Sequence, residues 1–371
     1  MQQCRETGYM MLAETGYKVS AGEEQRVVTT IRDVAQQAGV SVATASRALN
    51  GLNNVTAALR ERVEAAAREL AYVPHSGARS LTMQRTNSIG VVLPDLFGEF
   101  FSELIRGIDM VAHRAGLQLL LSNMHGNAQG AAAAIRAMRG RVDGLLVMPT
   151  ALEPEYFDTH PTGLPTVLLA RSGATSLPSV SIDNYRGARE MTEYLCATGA
   201  RRIAYISGPR DNRDAAERES GFRDGLKECL GELSPMIIPG DFTEEAGSAA
   251  ARLIIAGGCV IDTVFAANDM MAVGCLAVLR EAGIDVPGRI AVAGFDDIPL
   301  ARHTGPSLTS MQVHIAELGM AAVDQLLRML RGEGNSLEPI QLAPALVTRE
   351  STKAILREQP QATAKLAIHS T

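Results

Sequence analysis

From residue 88 to residue 294 the chain repeats one unit: a short apolar run, then a longer amphipathic stretch. Ser88-Ile89-Gly90-Val91-Val92-Leu93-Pro94 reads as a buried strand. Residues 100–115 follow as a helix with Phe101, Leu104, Ile105, Ile108 and Val111 on one face. The same alternation predicts strands at 117–121, 144–148, 166–169, 180–182, 202–206, 263–266 and 290–294. It predicts helices at 128–138, 186–198, 215–229, 244–255 and 270–282. Strands that are apolar on both faces and separated by helices imply parallel sheets covered by helices, an α/β body. The body is long enough to predict two such subdomains rather than one. In open parallel sheets ligands bind beyond the strand carboxyl ends. Those ends fall at 95–101, Arg171, 208–218, Asn268-Asp269 and Asp296-Asp297.

Several function classes are excluded by what the chain lacks. The longest apolar stretch, 270–279, is far short of the roughly 18–20 residues of a membrane helix. Met10-Met11-Leu12-Ala13, flanked by Glu6 and Glu14, is no signal-peptide core. The five cysteines (Cys4, Cys196, Cys229, Cys259 and Cys275) are widely spaced, which argues against a disulfide framework or zinc site and suits the cytoplasm. No phosphate-loop, nucleophile-elbow or zinc-protease motif is present, so no enzyme, cofactor or metal is expected. Asp296-Asp297 could be a catalytic pair, but after a Gly-Phe strand end such a pair more often caps a loop or binds a hydroxyl.

Charge is uneven. The chain is −6 overall, yet residues 29–85 carry seven arginines against four acids. A basic head on an acidic body is the footprint of a nucleic-acid module joined to something else. Thr30-Ile31-Arg32-Asp33 reads as a capping box, with Asp33 in the usual Glu place. Ile31, Val34, Ala35 and Ala38 share one helical face, and Gly39 ends that helix. Val40 can bury in the turn, and Ser41 can cap a second helix through Leu49 to Asn50-Gly51. Its outward residues are small or hydrogen-bonding, as a helix in a major groove requires. Thr56 caps a third helix, 57–71, with Val63, Ala66, Ala67 and Leu70 inward. An ordinary three-helix bundle is the competing reading; the short second helix and the Ala38-Gly39-Val40-Ser41 turn favour a helix-turn-helix. Tyr72-Val73-Pro74 stops the third helix. Residues 75–82 could form a short helix, too short to be stable alone. Small residues such as Ala78 would let two copies pack, leaving Leu81 outward as an apolar wedge. A plain linker is the alternative.

Thr30-Ile31-Arg32-Asp33-Val34-Ala35, Ala38-Gly39-Val40-Ser41 and Thr44-Ala45-Ser46-Arg47-Ala48-Leu49-Asn50 together resemble the start of the LacI/GalR family of transcription regulators. Leu70-Ala71-Tyr72-Val73-Pro74, Val142-Asp143-Gly144-Leu145-Leu146, Arg201-Arg202-Ile203-Ala204-Tyr205-Ile206, Ala267-Asn268-Asp269-Met270-Met271-Ala272 and Val292-Ala293-Gly294-Phe295-Asp296-Asp297 extend the likeness to about residue 351. The resemblance implies a repressor that binds a near-palindromic operator as a homodimer, a tetramer not being excluded, with the second helix in the major groove. Val42, Ala43 and Arg47 would then meet bases, Arg47 on a guanine edge. Thr30, Ser41, Thr44, Ser46 and Asn50 would hold phosphates. Leu81 would wedge the minor groove, with Ala78 beside it in the hinge.

The resemblance further implies a body like a periplasmic sugar-binding protein, holding a small effector in the cleft between subdomains. Arg218, Asn268, Asp296 and Phe242 match family ligand positions; Phe97, Phe101 and Arg171 are further candidates. The division expected is an extension at 1–28, disordered or a start-codon artefact; a DNA-binding domain at 29–74; hinge and linker at 75–87; an effector and dimerisation domain at 88–351; and a tail at 352–371. The chain is expected to cross between subdomains near 183, near 313 and at 334–339. The chain has no Trp, and Ala170 precedes Arg171 where many members carry Asp. Asn212 and Asp214 stand where the purine-responsive branch binds purine, which leaves sugars or sugar derivatives as the expected effector. A ligand-binding protein without DNA function, or an enzyme on the same body, is the competing class.

Overall fold

The computed structural model describes residues 29–51, 54–73, 85–150, 156–170, 176–231, 235–257, 261–333 and 337–352. The chain divides into two compact units, 1–84 and 85–371.

In the first unit three helices pack around a core of small side chains. They are α1 (Ile31–Gln37), α2 (Val42–Leu49) and α3 (Ala57–Glu69). Val34, Ala35, Ala38, Ala45, Ala48, Val63, Ala66 and Ala67 are buried together. Alanines at these positions let the helices approach closely, so a compact unit forms from little apolar surface. The starts follow local chemistry. Thr30 N and Oγ1 both donate to Asp33 Oδ2, each at 2.8 Å, and these bonds hold the Asp33 carboxyl below its ordinary range. Ser41 Oγ accepts from Thr44 N at 3.1 Å and caps α2. Gly39 takes φ +62 in the turn between α1 and α2, a conformation that favours glycine. Thr29 Oγ1 donates to Leu70 O at 3.1 Å, tying the start of the unit to the end of α3.

The second unit carries two parallel sheets. The first has the order β11-β5-β4-β3-β1-β2, from β1 (Ser88–Leu93), β2 (Gln118–Asn123), β3 (Gly144–Val147), β4 (Thr166–Leu169), β5 (Ser179–Ile182) and β11 (Ile340–Leu342). The second has the order β7-β6-β8-β9, from β6 (Ile203–Ile206), β7 (Met236–Ile238), β8 (Thr263–Ala266) and β9 (Ala291–Ala293). β10 (Ser310–Gln312) and β12 (Ala345–Val347) pair antiparallel beside them. The two-residue period of a strand sorts the first sheet's side chains. Ile89, Val91, Leu146, Val167 and Leu169 enter the main core, while Val92, Leu145, Val147 and Leu168 enter a second cluster on the opposite face.

Between the strands lie α4 (Glu99–Arg114), α5 (Ala128–Met138), a turn of helix α6 (Tyr156–Thr159), α7 (Asn184–Ala197), α8 (Arg213–Leu230), α9 (Glu244–Ala256), α10 (Asp269–Glu281) and α11 (Ile315–Leu330). The alternation predicted from the apolar pattern is present through β9. The predicted set lacked β7, β10, β11, β12, the helical turn α6, the 3-10 turn Pro299–Arg302 and α11. Strands of three residues carry no readable period; a partner's ladder decides them. α11 was legible, since Ile315, Leu318, Ala322, Val323 and Leu326 form a buried helical stripe.

Three expected boundaries need correction. The third passage between sheets follows β11, at Ala343-Pro344, because β11 adds to the first sheet beside β5; it does not lie at 334–339. Thr86 and Asn87, expected in the linker, belong to the body: Thr86 N and Oγ1 donate to Asp143 Oδ1 at 2.6 and 2.9 Å, and Asn87 N to Asp143 Oδ2 at 2.9 Å. Thr352, expected in the tail, is buried, and its hydroxyl lies 2.8 Å from those of Tyr194 and Thr309. The extension at 1–28 and the hinge segment 75–82, with Ala78 and Leu81, lie outside the described residues, as does Arg171.

Candidate functional site

Two groups of residues stand out, one in each unit. On the head, the second helix presents Ser41, Val42, Ala43 and Arg47 to solvent, with Thr44, Ser46 and Asn50 half-exposed beside them. Val42 is 43% exposed, although β-branched and apolar. The inward positions Ala45 and Ala48 are sealed in the core, so the helix cannot rotate to hide it. Ser41 Oγ lies 2.8 Å from Thr44 Oγ1, and Asn50 Nδ2 donates to Ser46 Oγ at 3.3 Å. These bonds hold the polar groups along one side of α2. Thr30 is exposed at the start of α1.

In the body, five segments far apart in sequence meet at the carboxyl ends of the second sheet. α8 contributes Arg218, 4% exposed. The loop after β9 contributes Asp296, 5% exposed, whose Oδ1 lies 3.0 Å from Arg218 Nη1. Arg218 Nη1 donates to Ala267 O at 2.6 Å and Nε to Asn184 Oδ1 at 2.8 Å. The guanidinium lies over the Phe295 ring, 4.0 Å from its centroid, and 5.8 Å from that of Phe242. Asn268 caps α10 through Met271 N at 3.0 Å and donates to Phe242 O at 3.0 Å, which fixes the backbone that carries that ring. Thus Arg218, Phe242, Asn268 and Asp296 form one cluster.

The electrostatics of the cluster are those of charge withheld from water. Burial raises the Asp296 carboxyl to about 6, against the pull of the Arg218 cation. Its Oδ1 is close to that cation but not aligned with an N–H, so it is buried without a hydrogen bond among the described residues. Asp214, in the first turn of α8, accepts from Asn184 Nδ2 at 3.0 Å. Enclosure by surrounding protein raises it to about 7, with Arg218 opposing. Asp269 is raised as well, by burial and then by Asp296; Ser310 Oγ and Ile298 N donate to it at 2.6 and 2.9 Å. The backbone is strained at the same place: Phe242 has φ +73, Asp296 φ +116 and Asp297 φ +54.

Asp297 has a different part from its neighbour. It accepts from Arg349 Nη2 at 2.5 Å and Gln312 Nε2 at 3.1 Å, and so ties the β9 loop to β10 and to the segment that follows β12. The adjacent aspartates therefore do not form a pair aimed at one centre. Phe97 and Phe101 lie on the first sheet's side and are not in the cluster. Phe97 is 81% exposed. Phe101 packs edge-on to Phe100, centroids 5.5 Å apart, and both lean on the main core. Glu99, two residues before Phe101, accepts from Leu300 N at 2.7 Å and so links α4 to the turn after Asp297.

The sequence reading did not single out Asn184 or Phe295; it placed Asp214 and Asp269 at the strand ends, within 208–218 and 268–269, without making either a site residue. Asn184 opens α7, where nothing local distinguishes it from a helix-start residue. Among the described residues no group of His, Cys, Asp and Glu is placed to hold a metal ion. No helix there is long and apolar enough to cross a membrane.

A helical head with an exposed second helix, ahead of two parallel sheets with a charged cluster at their strand ends, defines a DNA-binding regulator fused to a ligand-binding body. Residues 30–75 match the bacterial regulatory proteins of the lacI family, and 192–352 match the periplasmic binding protein-like domain. The ribose operon repressor of Halalkalibacterium halodurans is 33% identical over 88% of this chain and 98% of its own. The transcriptional repressor CytR of Escherichia coli is 33% identical over 90% and 99%. Among solved structures, the lac repressor dimer bound to operator and the anti-inducer ONPF aligns with a TM-score of 0.79 and 29% identity, covering 88% of this chain and 99% of that one. The CelR–cellobiose complex aligns at 0.65 with 32% identity, covering 87% and 99%. The chain belongs to the lacI family of bacterial regulatory proteins.

Proposed function

We propose that this protein is a transcriptional repressor that binds a near-palindromic operator as a homodimer and responds to a sugar or sugar derivative. It carries out no catalysis and acts in the cytoplasm, where its operator is. Arg47 reads a guanine edge, while Val42 and Ala43 touch apolar features such as a thymine methyl. Thr30, Ser41, Thr44, Ser46 and Asn50 hold phosphates and set the register. Ala78 and Leu81 belong to the hinge, with Leu81 as the minor-groove wedge.

The effector reading rests on one observation: Asp296 Oδ1 is buried beside Arg218 without an aligned donor. An effector hydroxyl would supply that donor, and Phe242 would pack against the sugar's C–H face. Arg218, Asn268 and Asp296 then bind the polar edge, with Phe97, Phe101 and Arg171 closing from the first subdomain. Glu99–Leu300 is a bond that such closure would make or break. Binding shifts the operator-competent state only if the effector has different affinities for the two arrangements. The repressors of ribose operons and the cellobiose-bound CelR favour a sugar for this chain.

The test is a thermal-shift screen of purified protein against sugars, sugar phosphates and nucleobases, followed by operator gel shifts with each hit. A sugar should raise the unfolding midpoint by mass action and change operator affinity in a salt-dependent assay. A nucleobase hit with no sugar hit would overturn the effector class. Failure to bind the DNA upstream of its own gene, with or without ligands, would overturn the repressor reading.

A further inference from the structure

α7 and α8 lie side by side and run parallel, and their contact is unusually close. A side chain at Gly221 would collide with the Tyr185 carbonyl. A Cβ at Gly225 would sit 3.1 Å from Thr192 Cβ and 3.2 Å from Arg189 O. A hydrogen bond and an ion pair keep the same register: Tyr185 Oη donates to Asp224 Oδ2 at 2.9 Å, and Arg189 Nη2 to Glu228 Oε2 at 2.7 Å. One helical turn beyond the Thr192–Gly225 contact, four residues on along each helix, stand Cys196 and Cys229. The stripe on α7 is therefore Ala188, Thr192 and Cys196; on α8 it is Gly221, Gly225 and Cys229. Disulfides need Cβ atoms roughly 3.5–4.5 Å apart, and the preceding step of the register is already tighter than that. Both thiols are free, Cys196 buried and Cys229 exposed. Burial first, and then the neighbouring Cys229 thiol, push the Cys196 thiol up to about 12.

We propose that Cys196 and Cys229 form a peroxide-sensitive dithiol, which closes to a disulfide bridging the C-terminal ends of α7 and α8. Hydrogen peroxide is the oxidant. The exposed Cys229 Sγ, as thiolate, attacks one peroxide oxygen; the O–O bond breaks, and hydroxide leaves and takes up the thiol's proton as water. Cys229 is then a sulfenic acid. Cys196 Sγ attacks that sulfur, the S–O bond breaks, and the Cys196 proton leaves with the hydroxide as a second water. Two thiols and one peroxide give one disulfide and two waters. Cys196 resists ionisation, so it serves as the resolving thiol and not the first target. The bridge would join the helix that holds Asn184 to the helix that holds Arg218, at the ends opposite those residues.

The experiment uses the full-length protein, reduced and then treated with stoichiometric hydrogen peroxide. The protein is denatured, capped with N-ethylmaleimide and weighed intact. Five adducts are expected for reduced protein and three after oxidation, with a digest fragment that joins the Cys196 and Cys229 peptides. Dithiothreitol before capping should restore five. Cys196→Ser and Cys229→Ser should each show no such crosslinked fragment. Retention of five adducts after oxidation would overturn the proposal. So would a bridge that joins either cysteine to any other thiol, or a dimer linked through Cys229.

Discussion

The head and the second sheet's charged cluster place their candidate residues in opposite ways. In the head the described candidate residues, Thr30 apart, lie on or at the ends of one eight-residue helix and are exposed or half-exposed, over a core built mostly of alanine. In the body they come from α7, α8, the loop after β7, the start of α10 and the loop after β9. They are largely buried and hold one another through charge. A surface that reads another molecule can be changed without disturbing the fold beneath it. A buried charged cluster is part of the core, so under the proposed effector role recognition and stability would be coupled there.

The largest expected effect tests that coupling. Arg218→Ala leaves Asp296 and Asp214 enclosed without their cation and should destabilise the body by about 3–5 kcal/mol. Urea unfolding followed separately for head and body should show the loss in the body alone; a midpoint shift shared by both would break the comparison.

Arg47→Ala makes the converse case. Operator affinity should fall by about 1–3 kcal/mol, with discrimination relaxed at one base pair. Stability should stay within about 0.5 kcal/mol of the parent, as for an exposed side chain. Gel-shift titration of operator variants and a thermal melt read the two quantities. Equal loss on all sequences would make Arg47 a phosphate contact.

Ser41→Ala lies between the two, since Ser41 faces outward and also caps α2. Loss of its bond to Thr44 N should cost about 1 kcal/mol of head stability. Hydrogen exchange at the first turn of α2 should rise before any change in the body.

The smallest effect is a slope. Asp214 titrates near 7 in the folded protein and Asp296 near 6, both above the ordinary 3.8. Between pH 4 and 7 the folded state therefore binds more protons than the unfolded state. Stability from these groups is greatest below their unfolded values and falls as pH rises through the folded ones. Asp214→Asn removes one such proton and keeps an acceptor for Asn184. Its thermal midpoint should depend less steeply on pH over that window than the parent's. An unchanged slope would show that Asp214 ionises freely.

How much could be read without the fold depends on distance along the chain. Thr30 with Asp33, Gly39, and Ser41 with Thr44 interact within three residues or a single turn, so α1 and α2 were legible to within a residue or two. β1, β3 to β6, β8 and β9 were legible for a similar reason, because a buried strand must be apolar whatever its partners; β2, a largely exposed edge strand, was legible only from its run of leucines. Residues 99–114, 128–138 and 213–230 likewise announce themselves through a helical apolar period. The three-residue strands β7, β10, β11 and β12 had no such signal, and β11 moved the last crossing to Ala343-Pro344.

The cluster was legible only in part. Arg218, Phe242, Asn268 and Asp296 could be named from family motifs, but not their grouping apart from Phe97 and Phe101. Local chemistry, acting over one helical turn or one strand, was therefore determined by the amino-acid order itself. What only the tertiary structure decided was the company each charge keeps. Desolvation and pairing depend on atoms from segments scores of residues apart: Asn184 on Arg218, Asp214 on Asn184, and Asp296 left beside a cation without an aligned donor.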